Sequence, residues 1–298
     1  MSLLEVLAQG PTSGQALADR LGVSRTAVWK SIQALRAEGC VIEAEAGKGY
    51  RLLDASKGFG PRTLSWRCER DVVFLPECAS TNREAFQMGL DGVAGGTLVV
   101  AERQTAGKGR LGRRWVSEDG LTFSLLLRPA LRPAQAPLLC LAAALGVAEA
   151  LDLRIKWPND VWDDQGRKVA GILAELNAEV DRLHFVVLGV GVNVNQTAFP
   201  PDLPNPVSLA QLRGHQDRAA TLGRVVTAIE RRCAQVNHPE PMLEAWRRRS
   251  VTLGQRVRVG EVQGYATDVR ADGALVVQTD HGPRPILAGD VEMVAERG

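Results

Sequence analysis

Gln104-Thr105-Ala106-Gly107-Lys108-Gly109-Arg110-Leu111-Gly112-Arg113-Arg114-Trp115 packs three glycines, four cations and a tryptophan into one short segment. An apolar stretch, Thr97 to Ala101, precedes it, and another, Leu121 to Leu127, follows. Glycine-rich backbone between two strand-like segments brings bare N–H groups and fixed positive charge against an anion. Nucleotide phosphates and carboxylates are the matching ligands. The five cations from Arg103 to Arg114 repel one another, so something negative is expected among them. Gly107, Gly109 and Gly112 also satisfy G-x-G-x-x-G. A dinucleotide site needs that motif to open a helix, with an acid roughly 20 residues on. Here a strand-like segment follows, and Glu118 and Asp119 come too early. A kinase loop also lies between strands, but neither H-R-D nor D-F-G appears downstream. A basic hairpin tip without a ligand is the remaining alternative.

At 298 residues the chain has room for two or three domains, and 45% hydrophobic content supports a substantial core. A net charge of +2 does not point to a surface covered in nucleic acid, so any DNA-binding face must be local. The five cysteines contain no C-x-x-C pair, which fits free thiols in a reducing cytosol better than a disulfide or zinc framework. No charged leader segment with a cleavage site is recognised at the start, and a cytoplasmic location is expected. The Ala-rich run from Leu138 to Leu151 is expected to be a core helix, too short to span a bilayer. No association with a membrane is expected.

Residues 1–54 read as one unit. Leu3, Leu4 and Leu7 share a helical face. Ser13–Leu21 is a second helix pattern closed by Gly22, and Ser24 caps a third, Arg25–Ala37, closed by Gly39. Val28, Ile32 and Leu35 are expected to face inward. Val41–Glu45 and Tyr50–Leu53 alternate as strands around the basic turn Ala46-Gly47-Lys48-Gly49. Three helices and a two-stranded ribbon make a winged helix-turn-helix. In that geometry Ser24, Arg25, Thr26 and Lys30 belong to the groove-reading helix, and Lys48 lies on the wing near phosphate. A winged helix used only for protein contacts is the alternative.

Asp54–Gly60 reads as a linker, and residues 61–250 as a mixed α+β domain. Its expected elements are a strand at Val72–Leu75 and a helix opened by a capping box at Thr81-Asn82-Arg83-Glu84. A helix at Ala134–Leu151 and a strand at Arg154–Trp157 follow the glycine loop. A turn at Asp163–Gly166 leads to strands at Val169–Leu176 and Leu183–Val194. After a Pro-rich loop, helices are expected near Ala219–Val236 and Pro241–Arg249. Residues 251–298 carry short Val-rich strands with an Asp272-Gly273 turn, as in a small SH3-like β-barrel.

Three further segments carry chemistry. In Lys156-Trp157-Pro158-Asn159-Asp160, Pro158 ends the ladder and places Asn159 and Asp160 where the chain turns. Asp160 there is either a Mg²⁺ ligand or part of an unliganded turn. Lys168 stands at the mouth of an apolar strand in which Gly171 permits close approach; solvated edge decoration is its alternative. In Gly189-Val190-Gly191-Val192-Asn193, two glycines weaken the strand unless a ligand lies on them. No Ser/His/Asp or Cys/His arrangement is present, and the four histidines are scattered.

Taken together these segments resemble the biotin–protein ligases. The glycine loop resembles that family's G-R-G-R-x-G-R loop, Lys156–Asp160 its K-W-P-N-D, Lys168–Leu173 its K-x-x-G-I-L, Gly189–Asn193 its G-x-G-x-N and Ser80-Thr81-Asn82 its S-T-N. The winged helix in front and the small barrel behind resemble the bifunctional members, which also repress biotin-synthesis genes. The resemblance implies a central domain like class II aminoacyl-tRNA synthetases, and formation of biotinyl-AMP from biotin and Mg²⁺-ATP. Transfer to a Lys of a biotin carboxyl carrier protein, the acetyl-CoA carboxylase subunit, would follow. It implies biotin contacts at Ser80, Thr81, Asn82, Gln104, Gly107, Lys108, Arg110, Lys168 and Gly171. It implies ATP or adenylate contacts at Arg110, Arg113, Trp115, Lys156, Asn159, Lys168 and Asn193, with Trp115 walling the adenine. Arg110, Lys168 and Asp160 would be the catalytic set. Operator DNA and, with adenylate bound, a second copy of the chain are the implied partners. Lys108 departs from the family by standing where Arg is usual, which keeps the charge but loses the planar fork. Open alternatives are a ligase without gene regulation, a ligand-responsive repressor without turnover, and a lipoate ligase.

Overall fold

A computed structural model of the chain describes residues 1–116 and 118–294. Its compact units are Met1–Phe74 with His215–Arg224, and Leu75–Gly214 with Val225–Gly298.

In the first unit α1 (Leu3–Ala8), α2 (Gly14–Leu21) and α3 (Arg25–Ala37) are each capped by a serine hydroxyl, from Ser2, Ser13 and Ser24. Each hydroxyl accepts one of the N–H groups that a helix start leaves unpaired. Gly22 ends α2 in the left-handed conformation at φ 65°, where a side chain would be strained. Leu4, Leu7, Leu17, Val28, Ile32 and Leu35 form one buried core, so the inward face expected of α3 is the observed one. The ribbon of β1 (Val41–Glu45) and β2 (Gly49–Asp54) follows them. The segment Asp54–Gly60 is not a slack linker. Ala55 and Phe59 are buried, and Phe59 N–H donates to Glu38 O at 2.8 Å. A helix that the sequence reading lacked, α4 (Pro61–Cys68), follows. It is capped from a distance: the Glu38 carboxylate accepts from Thr63 N–H at 2.9 Å and from Thr63 Oγ1 at 2.8 Å. A cap supplied 25 positions away leaves no local signature.

The second unit runs through β3 (Val73–Cys78, its first residues in the first unit), α5 (Thr81–Leu90), β4 (Leu98–Gln104), β5 (Leu121–Leu127), α6 (Ala136–Leu151), β6 (Arg154–Lys156), β7 (Asp160–Trp162), β8 (Lys168–Ala178) and β9 (Leu183–Val192). Among the described residues these strands form a seven-stranded sheet in the order β3-β4-β5-β9-β8-β7-β6. The β5, β9, β8, β7 and β6 neighbours are antiparallel, while single parallel bridges add Pro206 beside Lys168 and Ser250 beside Ile155. Short turns join β6, β7, β8 and β9, which is why the pattern is a meander rather than βαβ winding. The Pro133–Leu151 stretch is 19 residues and, contrary to the sequence reading, long and apolar enough to cross a membrane. Most of it is nevertheless buried in the protein, and it serves as a core helix.

Helices α7 (Leu209–Arg213), α8 (Arg218–Cys233) and α9 (Glu240–Arg249) follow, α7 being another that the sequence reading lacked. The remaining strands are β10 (Arg256–Val259), β11 (Val262–Val269), β12 (Leu275–Thr279), β13 (Gly282–Ile286) and β14 (Glu292–Met293). They make an antiparallel sheet in the order β13-β12-β11-β10-β14. This sheet is tied to the central one at Trp157, which is 1% exposed. Trp157 N–H donates to Thr252 Oγ1 at 2.9 Å and its indole Nε1 donates to Gly273 O at 3.2 Å.

Candidate functional site

The strand registers lay a row of small and polar residues across the central sheet. Thr122 on β5 pairs with Gly191 on β9, Gly191 with Gly171 on β8, and Gly171 with Asp160 on β7. One step along, Ser124 pairs with Gly189 and Gly189 with Leu173. Paired residues project to the same face, so the row forms a shallow floor with side chains at its rims. Above it lies a pocket of about 730 Å³.

The glycines on the floor are covered, but by the protein's own side chains. A Cβ on Gly191 would lie 2.2 Å from the Trp115 indole, and one on Gly189 would lie 2.1 Å from Asn82 Oδ1. At Gly171 it would lie 3.2 Å from Lys168 Nζ. The space that the missing Cβ leaves at Gly189 and Gly191 is taken by Asn82 and Trp115, and both glycines still line the pocket. Lys168 Nζ stands 5.9 Å from the centroid of the same indole and 2.7 Å from Asp160 Oδ1. A buried Trp115 Nε1 and a buried Thr122 Oγ1 have no hydrogen-bond partner at the site.

The glycine loop closes on itself, with Trp115 N–H donating to Gly107 O at 2.9 Å and Gly109 N–H donating to Arg113 O at 2.7 Å. Leu111, at φ 56°, turns the chain in the left-handed region and is exposed. The loop sends Arg110 into the pocket and holds it there. Arg110 donates to Asn159 Oδ1 at 3.1 Å and to Gly289 O at 3.3 Å. Asn159 is fixed in turn by Nδ2 donating to Ile172 O at 2.7 Å. The negative charge expected among the loop's cations is partly internal: Asp290 pairs with Arg113 and lies 4.0 Å from Arg110.

At the other rim, Ser80 precedes α5 without capping it, and the capping box expected at Thr81–Glu84 is not formed. Gln104 takes that role. Its Oε1 accepts from Thr81 N–H at 2.7 Å and from Thr81 Oγ1 at 3.1 Å. Ser124 Oγ lies 2.8 Å from Thr81 Oγ1 and donates to Asn82 Oδ1 at 2.6 Å. Asn193 lines the pocket while its Nδ2 donates to Lys168 O at 3.2 Å and Val207 O at 3.3 Å, anchoring the Pro-rich loop beside β8. Lys156 Nζ sits 4.8 Å over the Trp162 ring. Burial pushes its ammonium below the ordinary lysine pKa, while Asp160 pulls it the other way.

Ser80, Thr81, Asn82, Gln104, Lys108, Arg110, Arg113, Trp115, Lys156, Asn159, Asp160, Lys168, Gly171 and Asn193 all line this one pocket. Gly107 stands behind it, closing the loop through Trp115. Thr122, Ser124 and Asp290 were not found from sequence. Thr122 and Ser124 left a signal: hydroxyls two apart on an otherwise apolar strand mark one face of it. Asp290 left none. On α3, Ser24, Arg25, Thr26 and Lys30 are exposed, as is Lys48 on the ribbon. Ser24 is committed to capping, and Lys48 pairs with Glu45 at 3.1 Å.

Comparisons with known proteins agree across the chain. Residues 75–193 match the biotin/lipoate A/B protein ligase family, residues 1–51 an HTH domain, and residues 252–294 the biotin protein ligase C-terminal domain. The bifunctional ligase/repressor BirA of Bacillus subtilis is 35% identical over 98% of this chain and 97% of its own length. The biotin–[acetyl-CoA-carboxylase] ligase of Mycobacterium tuberculosis is 35% identical over 76% of this chain and 89% of its own. Among solved structures, biotin protein ligase from Aquifex aeolicus in complex with biotin and ATP superposes with a TM-score of 0.63 at 30% identity, covering 75% of this chain and 98% of that one.

Proposed function

The chain belongs to the family of bifunctional biotin ligase/repressors, and from that membership and the pocket's chemistry we infer that it activates biotin with ATP and transfers it to a carrier-protein lysine. The observation that carries this reading is the pairing of two cations, Arg110 and Lys168, held by the adjacent residues Asn159 and Asp160 beside an indole wall. Such a site stabilises negative charge that develops on a phosphoryl group and contributes no nucleophile. A biotin carboxylate oxygen bonds to the ATP α-phosphorus as the bond to pyrophosphate breaks. The acceptor amine then bonds to the biotinyl carbon, AMP leaves with the anhydride oxygen, and the amine releases a proton. Arg110 and Lys168 hold the carboxylate and the α-phosphate together. Trp115 walls the adenine, and Lys156, Arg113, Asn159 and Asn193 line the nucleotide side. Ser80, Thr81, Asn82, Gln104, Lys108 and Gly171 line the biotin side, with Gly107 behind them closing the loop on Trp115.

The donor set does not suit a resident Mg²⁺. Asp160 Oδ1 is engaged by Lys168, and no cluster of three acid, His or Cys side chains exists among the described residues. A cation that needs several oxygen ligands would enter with ATP, on its phosphates. Asp160 then serves to hold Lys168 in place.

In domain terms, we read 1–54 as a winged-helix operator-binding domain, 61–250 as a catalytic domain of class II synthetase type, and 251–298 as an SH3-like barrel. The carrier is the acetyl-CoA carboxylase subunit, the adenylate-bound form is a homodimer, and the location is cytoplasmic. The chemistry is tested by biotin-dependent exchange of labelled pyrophosphate into ATP. Exchange in wild type and its loss in Lys168→Gln support the reading; exchange without biotin, or with lipoate alone, overturns it. For gene regulation, retardation of duplex DNA that requires both biotin and ATP is expected. Equal retardation without them contradicts an adenylate-responsive repressor.

A further inference from the structure

Trp29 lies on α3 with 53% of its surface exposed, and among the described residues no other Trp or Phe is so open to solvent. The core does not use it: Val28, Ile32 and Leu35 fill the buried side of α3. Trp29 is one turn from Arg25 and three positions from Thr26, and Lys30 is its neighbour in sequence; all are exposed. The helix carries three cations and no acid. Arg36 is turned back onto Ile42 O at 2.9 Å, so Arg25 and Lys30 are the cations left flanking the indole on the outer surface. An indole held in water is unfavourable until something covers it. A partner that is apolar where it meets the indole and negative around it would cover this one.

We propose that Trp29 reads sequence, its indole packing on the C5-methyl of a thymine in the major groove while Arg25 and Lys30 hold the flanking phosphates. This rests on the DNA-binding reading above. Duplex DNA is favoured over a protein partner because α3 offers cations only, which match a phosphate backbone, and because the thymine methyl is the apolar feature of the major groove.

The test uses the full-length protein with biotin and ATP, and duplexes it selects from a random pool. Deoxyuridine then replaces thymidine one position at a time, which removes only the methyl group. At one position per half-site, wild type is expected to weaken about fourfold on losing that methyl. Trp29→Ala is expected to bind the thymidine duplex about tenfold more weakly and to lose the difference between thymidine and deoxyuridine. Trp29→Phe should retain part of it, and carrier biotinylation and thermal unfolding should match wild type. Undiminished binding by Trp29→Ala overturns the proposal. So does an equal loss on both duplexes by Trp29→Ala and Trp29→Phe, which marks a structural role, or a change only in self-association. If wild type retards no duplex, the DNA-binding reading fails along with it, and the wild-type lane alone shows that.

Discussion

Arg110 and Lys168 reach the pocket from different parts of the chain, and each is fixed by a neighbour rather than by its own backbone. Removing a preorganised donor from developing charge costs about 10²–10³ in rate. In the bound adenylate the same guanidinium makes a charge-assisted hydrogen bond worth about 1.5–3 kcal/mol, so Arg110→Gly should also release biotinyl-AMP about 10²-fold faster; unchanged retention of the adenylate during filtration would contradict a grip by this guanidinium. Lys156 makes a different prediction. Its folded pKa lies below its ordinary value of 10.5, so the unfolded chain binds that proton more tightly. Stability from this group is lowest below its folded pKa and recovers as pH rises from there towards 10.5. Lys156→Met should raise the thermal midpoint at pH 7, by a margin that shrinks at alkaline pH, while weakening ATP binding. A lower midpoint would show that its packing on Trp162 outweighs the desolvation of its charge.

At the scale of elements, the pocket depends on strands that give up side chains. Gly191→Ala would drive a Cβ to 2.2 Å from the Trp115 ring. Overpacking of that kind costs about 1–3 kcal/mol and should expel the indole. A raised KM for ATP and red-shifted tryptophan emission are expected; unchanged emission would mean the strand yields instead. The glycines at 189 and 191 were legible as sites of close approach, but not what approaches. Asn82 and Trp115 reach them from helix and loop, and no periodicity encodes such pairings. The same limit explains α4, whose cap is Glu38, and the unformed box at Thr81, displaced by Gln104. Helices with local caps, α2 and α3, were legible from their serines and glycines because the signal sits beside the element it starts or stops.

Across the whole molecule, the C-terminal sheet contributes to the site as well as to the core. Its connection Gly289-Asp290 meets the glycine loop, and its Gly273 carbonyl receives the Trp157 indole. Trp157→Phe keeps most of the buried ring but leaves that carbonyl unpaired, at about 1–3 kcal/mol. Urea unfolding should shift accordingly, with kcat falling because the same turn presents Asn159 and Asp160; identical unfolding would show the two sheets to be energetically independent. Motif order made the chemistry legible along the chain, whereas the Asp290 clasp was not, since a lone acid far downstream has no spacing to read. The central claim is activation of biotin followed by its transfer. Incubating the protein with biotin, Mg²⁺-ATP and an intact biotin-acceptor domain, and following pyrophosphate together with the acceptor's mass, tests both steps at once. The account predicts pyrophosphate release and the addition of one biotinyl group at a single acceptor lysine. Pyrophosphate with an unmodified acceptor, or no pyrophosphate at all, would contradict it.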